Sequence, residues 1–240
     1  MKTKIHIVTV LLLCLLSTPV FADYGYSTVI YGYGWEPSHA TILGDTYGGT
    51  FTGSGTDLGD GLWTIFSNDS ITASRVYDFD GEDEIINLFN GNQTNVDQIW
   101  SDGMAKITAE ARYGELGQSF GWNGGGLGTD DYYEILTNAD IGNGPVEIPI
   151  HSEQFLWGIR PGGVNKIWSK NSCNADGDHL VTYHIDGASL NGETVWMLFW
   201  EDAVAGDDYQ DFVVEVRAIP EPNTLLLLGL GGLLLRKRKV

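Results

Sequence analysis

Five carboxylates crowd one short stretch of the chain, at Glu201, Asp202, Asp207, Asp208 and Asp211. Negative charges held this close repel one another unless water screens them or a cation is shared between them. Calcium suits such a set, because it takes six to eight oxygen ligands in flexible geometry from Asp, Glu and backbone carbonyls. A solvated acidic turn is the competing reading, and the sequence leaves both open. Asp78, Asp80, Glu82, Asp83 and Glu84 surround Gly81 more densely still, but they do not keep the ligand and spacer positions of a calcium-binding helix–loop–helix, so they read as a charged turn. Asn174, Asp176 and Asp178 alternate in a way that lets a loop turn several oxygens inward.

Histidine chemistry is poorly served. His179 and His184 lie five apart, so on one regular strand they point to opposite faces and cannot chelate together, which argues against zinc. Pairs of carboxylates can imitate a glycosidase, but among 32 acids neighbouring pairs arise by chance. No nucleophile–base pair and no histidine-rich metal set emerges, so no catalytic residue is assigned and the chain is read as a non-enzyme. Cys173 is the one cysteine left once Cys14 is removed with the N-terminal segment, so it has no intramolecular partner; burial is its expected fate.

The acidic cluster needs elements to position it. Residues 194–200 form a nearly continuous apolar run, which reads as a central strand buried on both faces, and Glu201-Asp202 ends it abruptly. Asp211 then opens a second strand, with Phe212, Val214 and Val216 on one face and Val213, Glu215 and Arg217 on the other. An antiparallel hairpin of these two strands brings the carboxylates together. Further short runs of aromatic and β-branched residues recur at 27–33, 62–66, 71–79, 132–136, 155–159 and 180–185, separated by Gly, Asn and Asp. Residues 104–113 carry helix-favouring types, yet Ala105, Ile107, Ala109, Ala111 and Tyr113 alternate with Lys106, Thr108, Glu110 and Arg112, and the alternation predicts a strand. Glycine-rich stretches at 48–49, 53–61 and 124–128 read as loops. The expected fold is all-β, a single sandwich or jelly-roll-like domain over residues 23–219.

Both ends are different in kind. Lys2 and Lys4 precede an apolar stretch at 7–16, and Val20-Phe21-Ala22 offers a cleavage site, so residues 1–22 read as a secretory signal peptide cut between Ala22 and Asp23. At the other end Pro220-Glu221-Pro222 is followed by the apolar run 225–235 and then Arg236-Lys237-Arg238-Lys239. That run is about 17 Å long as a helix, short of a bilayer core of about 30 Å, so it is a marginal membrane anchor with its basic end held on the cytoplasmic side. Without the two ends the 13 Lys+Arg fall to 7 and the 32 acids to 31, a net charge of about −24. Nucleic acid and anionic membrane surfaces are excluded as partners by that charge. Eight Trp and eleven Tyr argue for a packed core, not disorder.

The tail resembles the PEP-CTERM sorting signal of Gram-negative bacteria, with its Pro-Glu-Pro triplet, short Leu/Gly-rich helix and terminal basic cluster in order. The resemblance implies export through the Sec translocon, recognition by an exosortase in the inner membrane, and transfer to the cell surface or extracellular matrix. A second likeness covers about residues 97–217. The segment 176–183, then Phe199-Trp200-Glu201-Asp202 and 206–212, is similar to exported PEP-CTERM proteins that pair a DH-x-V-T-Y segment with a W-E-D…D-x-D-Y-N-D-F hairpin, and 97–103 and 118–121 also look like that family. Gln210 stands where Asn is usual, and Asp207-Asp208-Tyr209 replaces a spaced D-x-D-Y. The function expected is structural or binding, with a link to exopolysaccharide and biofilm. The runner-up is a carbohydrate-binding module or carbohydrate-acting enzyme that uses Trp35, Trp63, Trp122, Trp157, Trp168 and Trp200 as sugar platforms, although Trp is more often core.

Overall fold

The computed structural model describes residues 29–30, 37–57, 62–76, 85–88, 98–101, 103–113, 117–124, 131–163, 165–175, 178–189, 192–202 and 209–219. In chain order these form β1 (Val29–Ile30), α1 (His39–Tyr47), β2 (Thr52–Asp57), β3 (Trp63–Ser67), β4 (Thr72–Val76), β5 (Ile85–Asn87) and β6 (Ile99–Ser101). There follow β7 (Gly103–Arg112), β8 (Ser119–Trp122), β9 (Tyr133–Thr137), β10 (Val146–Ile150), β11 (Trp157–Ile159) and β12 (Ile167–Trp168). Three long strands close the fold, β13 (Leu180–Asp186), β14 (Thr194–Trp200) and β15 (Phe212–Ile219).

The described strands build a nine-stranded sheet in the order β1-β7-β15-β14-β13-β4-β3-β2, with β10 also on β7. A four-stranded sheet, β12-β11-β8-β9, and the short pair β5-β6 complete it. The expected all-β sandwich is therefore the observed one. Trp196, Leu198 and Trp200 of β14 pack with Phe120 of β8 and Trp157 and Ile159 of β11 in the core between the two sheets. Alternate residues of the same strand, Val195, Met197 and Phe199, turn the other way and meet Ile42 and Leu43 of α1. Burial on both faces is why residues 194–200 are apolar without interruption. Each such large side chain contributes about 1.5–3 kcal/mol by leaving water.

Strand β7 confirms the alternation of residues 104–113, with one change of face. Its register against β15 shifts between Val213 and Val214, which face Ala111 and Ala109, so β7 holds one extra residue, Glu110. A bulge of this kind inverts the sides beyond it. Ala105, Ile107 and Ala109 lie in the inter-sheet core, whereas Ala111 lies in the helix-side core.

Two expectations need correction, and one element was not expected. Residues 53–61 do not begin as a loop, because Thr52–Asp57 is strand β2, paired with β3. Glycine serves there to admit a ring: a Cβ on Gly53 would lie 2.3 Å from the Trp63 indole. Helix α1 was not foreseen at all. Ser38 caps its start by accepting from Thr41 N–H, and Gly48, at φ 81°, ends it. Cys173 is half-buried rather than buried, packed against the small cluster of Ile99, Leu156 and Trp168.

Candidate functional site at the mouth of the β14–β15 hairpin

The hairpin places three of the five carboxylates together. The last ladder pair at this end is Trp200 with Phe212, and Glu201 and Asp211 lie one step beyond it. Glu201 N–H donates to His179 O at 3.1 Å, and His179 Nδ1 lies 3.1 Å from Glu201 O, which fixes the end of β14 to the start of β13. Tyr113 N–H donates to Asp211 O at 3.1 Å, which fixes the start of β15 to the end of β7. Across the mouth, Asp202 N–H donates to Asp211 Oδ2 at 2.8 Å. Carboxylate oxygens of Glu201, Asp202 and Asp211 thereby lie within 4.8 Å of one another. Glu201 and Asp211 are buried and Asp202 half-buried. Three oxygens this close, on groups largely out of water, can share one cation.

The second sheet reaches the same place. Gln118 precedes β8 and is 2 % exposed, and its Nε2 donates to Asp202 Oδ2. Beside the trio, Tyr209 holds a left-handed backbone at φ 53°, a conformation that costs a bulky residue roughly 1–3 kcal/mol. Its ring packs on the helix-side core and its hydroxyl lies 3.5 Å from Asp178 O.

Other sequence candidates fall elsewhere. Asp207, Asp208, Pro220, Glu221, Pro222, Ala22, Asp23, the acidic run 78–84 and the apolar run 225–235 lie outside the described residues. Asn174 uses both ends of its amide on Trp168, accepting from its N–H at 2.9 Å and donating to its carbonyl at 2.8 Å. Asp178 accepts from Leu180 N–H at 3.0 Å and so starts β13. His184 Nδ1 lies 3.5 Å from Asp186, away from His179 and its partner. Among the described tryptophans of the platform list, Trp157, Trp168 and Trp200 are buried and Trp63 and Trp122 half-buried.

A buried ionic group at the opposite end of β15 was missed by sequence reading. Arg217 Nη2 donates to Glu215 Oε2 at 2.9 Å, and Tyr47 O–H donates to the same oxygen at 2.6 Å. Arg217 Nη1 also lies 3.4 Å from Glu193 Oε2, whose other oxygen is 3.1 Å from Lys106 Nζ. Glu110 completes the group. Burial pushes its carboxyl up to about 8, the neighbouring Glu215 adds to the rise, and Arg217 opposes it. Burial, and then Glu215, likewise raises the Tyr47 phenol.

From the acidic mouth, β15 runs eight residues to Ala218 and Ile219, roughly 23 Å away, where the tail begins. No curated protein matches this chain. Residues 218–239 match the family model described as the PEP-CTERM protein-sorting motif, whose first two positions are the last two of β15. The chain thus carries a PEP-CTERM sorting motif directly behind its last core strand, which marks it as an exported protein sorted at the membrane with an exosortase as processing partner.

Proposed function

We propose that this chain delivers an acidic β-sandwich to the cell surface or extracellular matrix of a Gram-negative bacterium, where it acts by binding or as a structural component and not by catalysis. Entry through the Sec translocon, removal of residues 1–22 and association with exopolysaccharide belong to the same reading. Its carrying observation is the sorting motif at residues 218–239, joined to β15 without an intervening domain. The acidic hairpin mouth is read as a calcium seat. Support for a non-catalytic role comes from two of the described histidines, which have packing duties: His39 stacks on Phe199 at 4.0 Å and bonds Tyr183, and His179 holds Glu201.

The mature protein is expected to lack residues 225–240. Mass spectrometry of surface and medium fractions checks this, and recovery of the intact basic terminus there, in cells with active exosortase, refutes it. Pro220→Ala with Glu221→Ala and Pro222→Ala is expected to hold the precursor in the inner membrane; unchanged release removes the role given to the triplet.

One observation favours the carbohydrate-binding alternative. Tyr133 is 54 % exposed on the four-stranded sheet, with its ring 5.8 Å from Trp122. Stacking of a sugar on this pair predicts that Tyr133→Ala lowers retention on the producer's own polysaccharide several-fold. Equal retention of variant and parent in affinity electrophoresis disposes of the platform.

A further inference from the structure

We propose that the calcium seat is completed from the second sheet by the side-chain oxygen of Gln118, so that one ion ties the four-stranded sheet to the mouth of the β14–β15 hairpin. This rests on the calcium reading given above and assigns it a ligand and a mechanical consequence. Two independent observations meet here. The first is the trio Glu201, Asp202 and Asp211, whose oxygens lie within 4.8 Å of one another. Oxygens bound to one calcium at 2.3–2.6 Å are at most about 5 Å apart, so a trio within 4.8 Å can hold calcium, whose flexible shell takes buried carboxylates more readily than magnesium, which dehydrates reluctantly.

The second observation is Gln118 itself. The residue is 2 % exposed, and its Oε1 is buried with no hydrogen-bond partner. The other half of the same amide donates to Asp202, so the amide that carries the unbonded oxygen lies beside one carboxylate of the trio. A buried amide oxygen left without a donor is costly and uncommon in a native fold. A cation between this oxygen and the carboxylates supplies the missing partner, while Nε2 continues to orient Asp202. Neutral amide oxygens are ordinary calcium ligands.

The consequence is a clamp. Glu201 follows β14 and Asp211 precedes β15, adjoining strands of the large sheet, whereas Gln118 leads directly into β8 of the small one. Calcium bound by all four holds the two layers together at this end. A low-calcium cytoplasm and a calcium-bearing exterior then give a domain that tightens after export.

Isothermal titration of the purified full chain with calcium chloride, and separately with magnesium chloride, tests this. The parent is expected to bind calcium at least tenfold more tightly than magnesium, and Asp211→Asn to weaken calcium binding at least tenfold. Gln118→Met, which removes the oxygen, is expected to weaken calcium binding about tenfold. Gln118→Glu keeps an oxygen at the site and adds charge, so it is expected to tighten calcium binding and to melt lower than the parent in chelator. If Gln118→Met fails to fold, Gln118→Glu still decides. Weaker binding by Gln118→Glu means that the residue only positions Asp202, and unchanged binding by both variants leaves a trio seat without Gln118; either overturns the clamp but not the seat. Absence of calcium binding by the parent in the millimolar range overturns both.

Discussion

Arg217→Met is expected to destabilise the domain by about 3–5 kcal/mol, the cost of breaking a buried ion pair by removing one partner. The guanidinium serves Glu215 through two nitrogens, Glu193 through a third contact at 3.4 Å, and Ala188 O at 3.2 Å. Methionine fills much the same volume but leaves Glu215, 3 % exposed, and Glu193, 7 % exposed, without that charge. For a domain of this size the loss corresponds to a melting temperature lower by on the order of 10 °C. Urea denaturation of parent and variant measures it. The double variant Arg217→Met with Glu215→Met is expected to recover a large part of the loss, because an apolar pair of similar shape avoids an uncompensated charge. A single-variant loss below about 1 kcal/mol, or a double variant no better than the single, removes the ion pair as a determinant of stability.

The sequence exposed the sheet better than what lies on top of it. Residues 194–200 were legible as a central strand because burial on both faces leaves no polar position, and residues 104–113 because one face of β7 is core along most of its length. Strand β2 was hidden by Gly53 and Gly55, since glycine that admits a neighbouring side chain looks the same in a sequence as glycine that makes a turn. Helix α1 was hidden by its composition, HATILGDTY, in which Thr, Asp and Gly are poor helix formers; its signals were the caps, Ser38 before it and Gly48 after it. Missing the helix had a cost elsewhere. With that layer absent, nothing in the sequence set a cover over Lys106, Thr108 and Glu110, so the group around Glu110 and Arg217 could not be seen. The acidic mouth was half legible for a related reason. Glu201, Asp202 and Asp211 follow from one hairpin, but Gln118 joins Asp202 across 84 positions, a distance that only the packing of two sheets closes.

Glu110 makes stability depend on pH in an unusual direction. Its carboxyl, raised from an ordinary 4.5 to about 8, binds its proton more tightly in the folded chain than in the unfolded one. The stability this proton supplies is fully present below about pH 4.5 and is lost as pH rises through about 8. Between those limits the loss is at most about 1.4 kcal/mol per pH unit for one group. The bulge in β7 is the structural cause, because it inserts Glu110 as the extra residue opposite Val213 and Val214. Glu110→Gln keeps the shape and removes the charge at every pH. The variant is therefore expected to match the parent near pH 5 and to exceed it by a few kcal/mol at pH 9, with Arg217 still satisfied by Glu215. Urea midpoints of both proteins at pH 5, 7 and 9 isolate this group from the many other acids, whose contribution cancels in the difference between the two chains. Parallel profiles across that range mean that Glu110 is ionised in the native state and that Arg217, not burial, governs its charge.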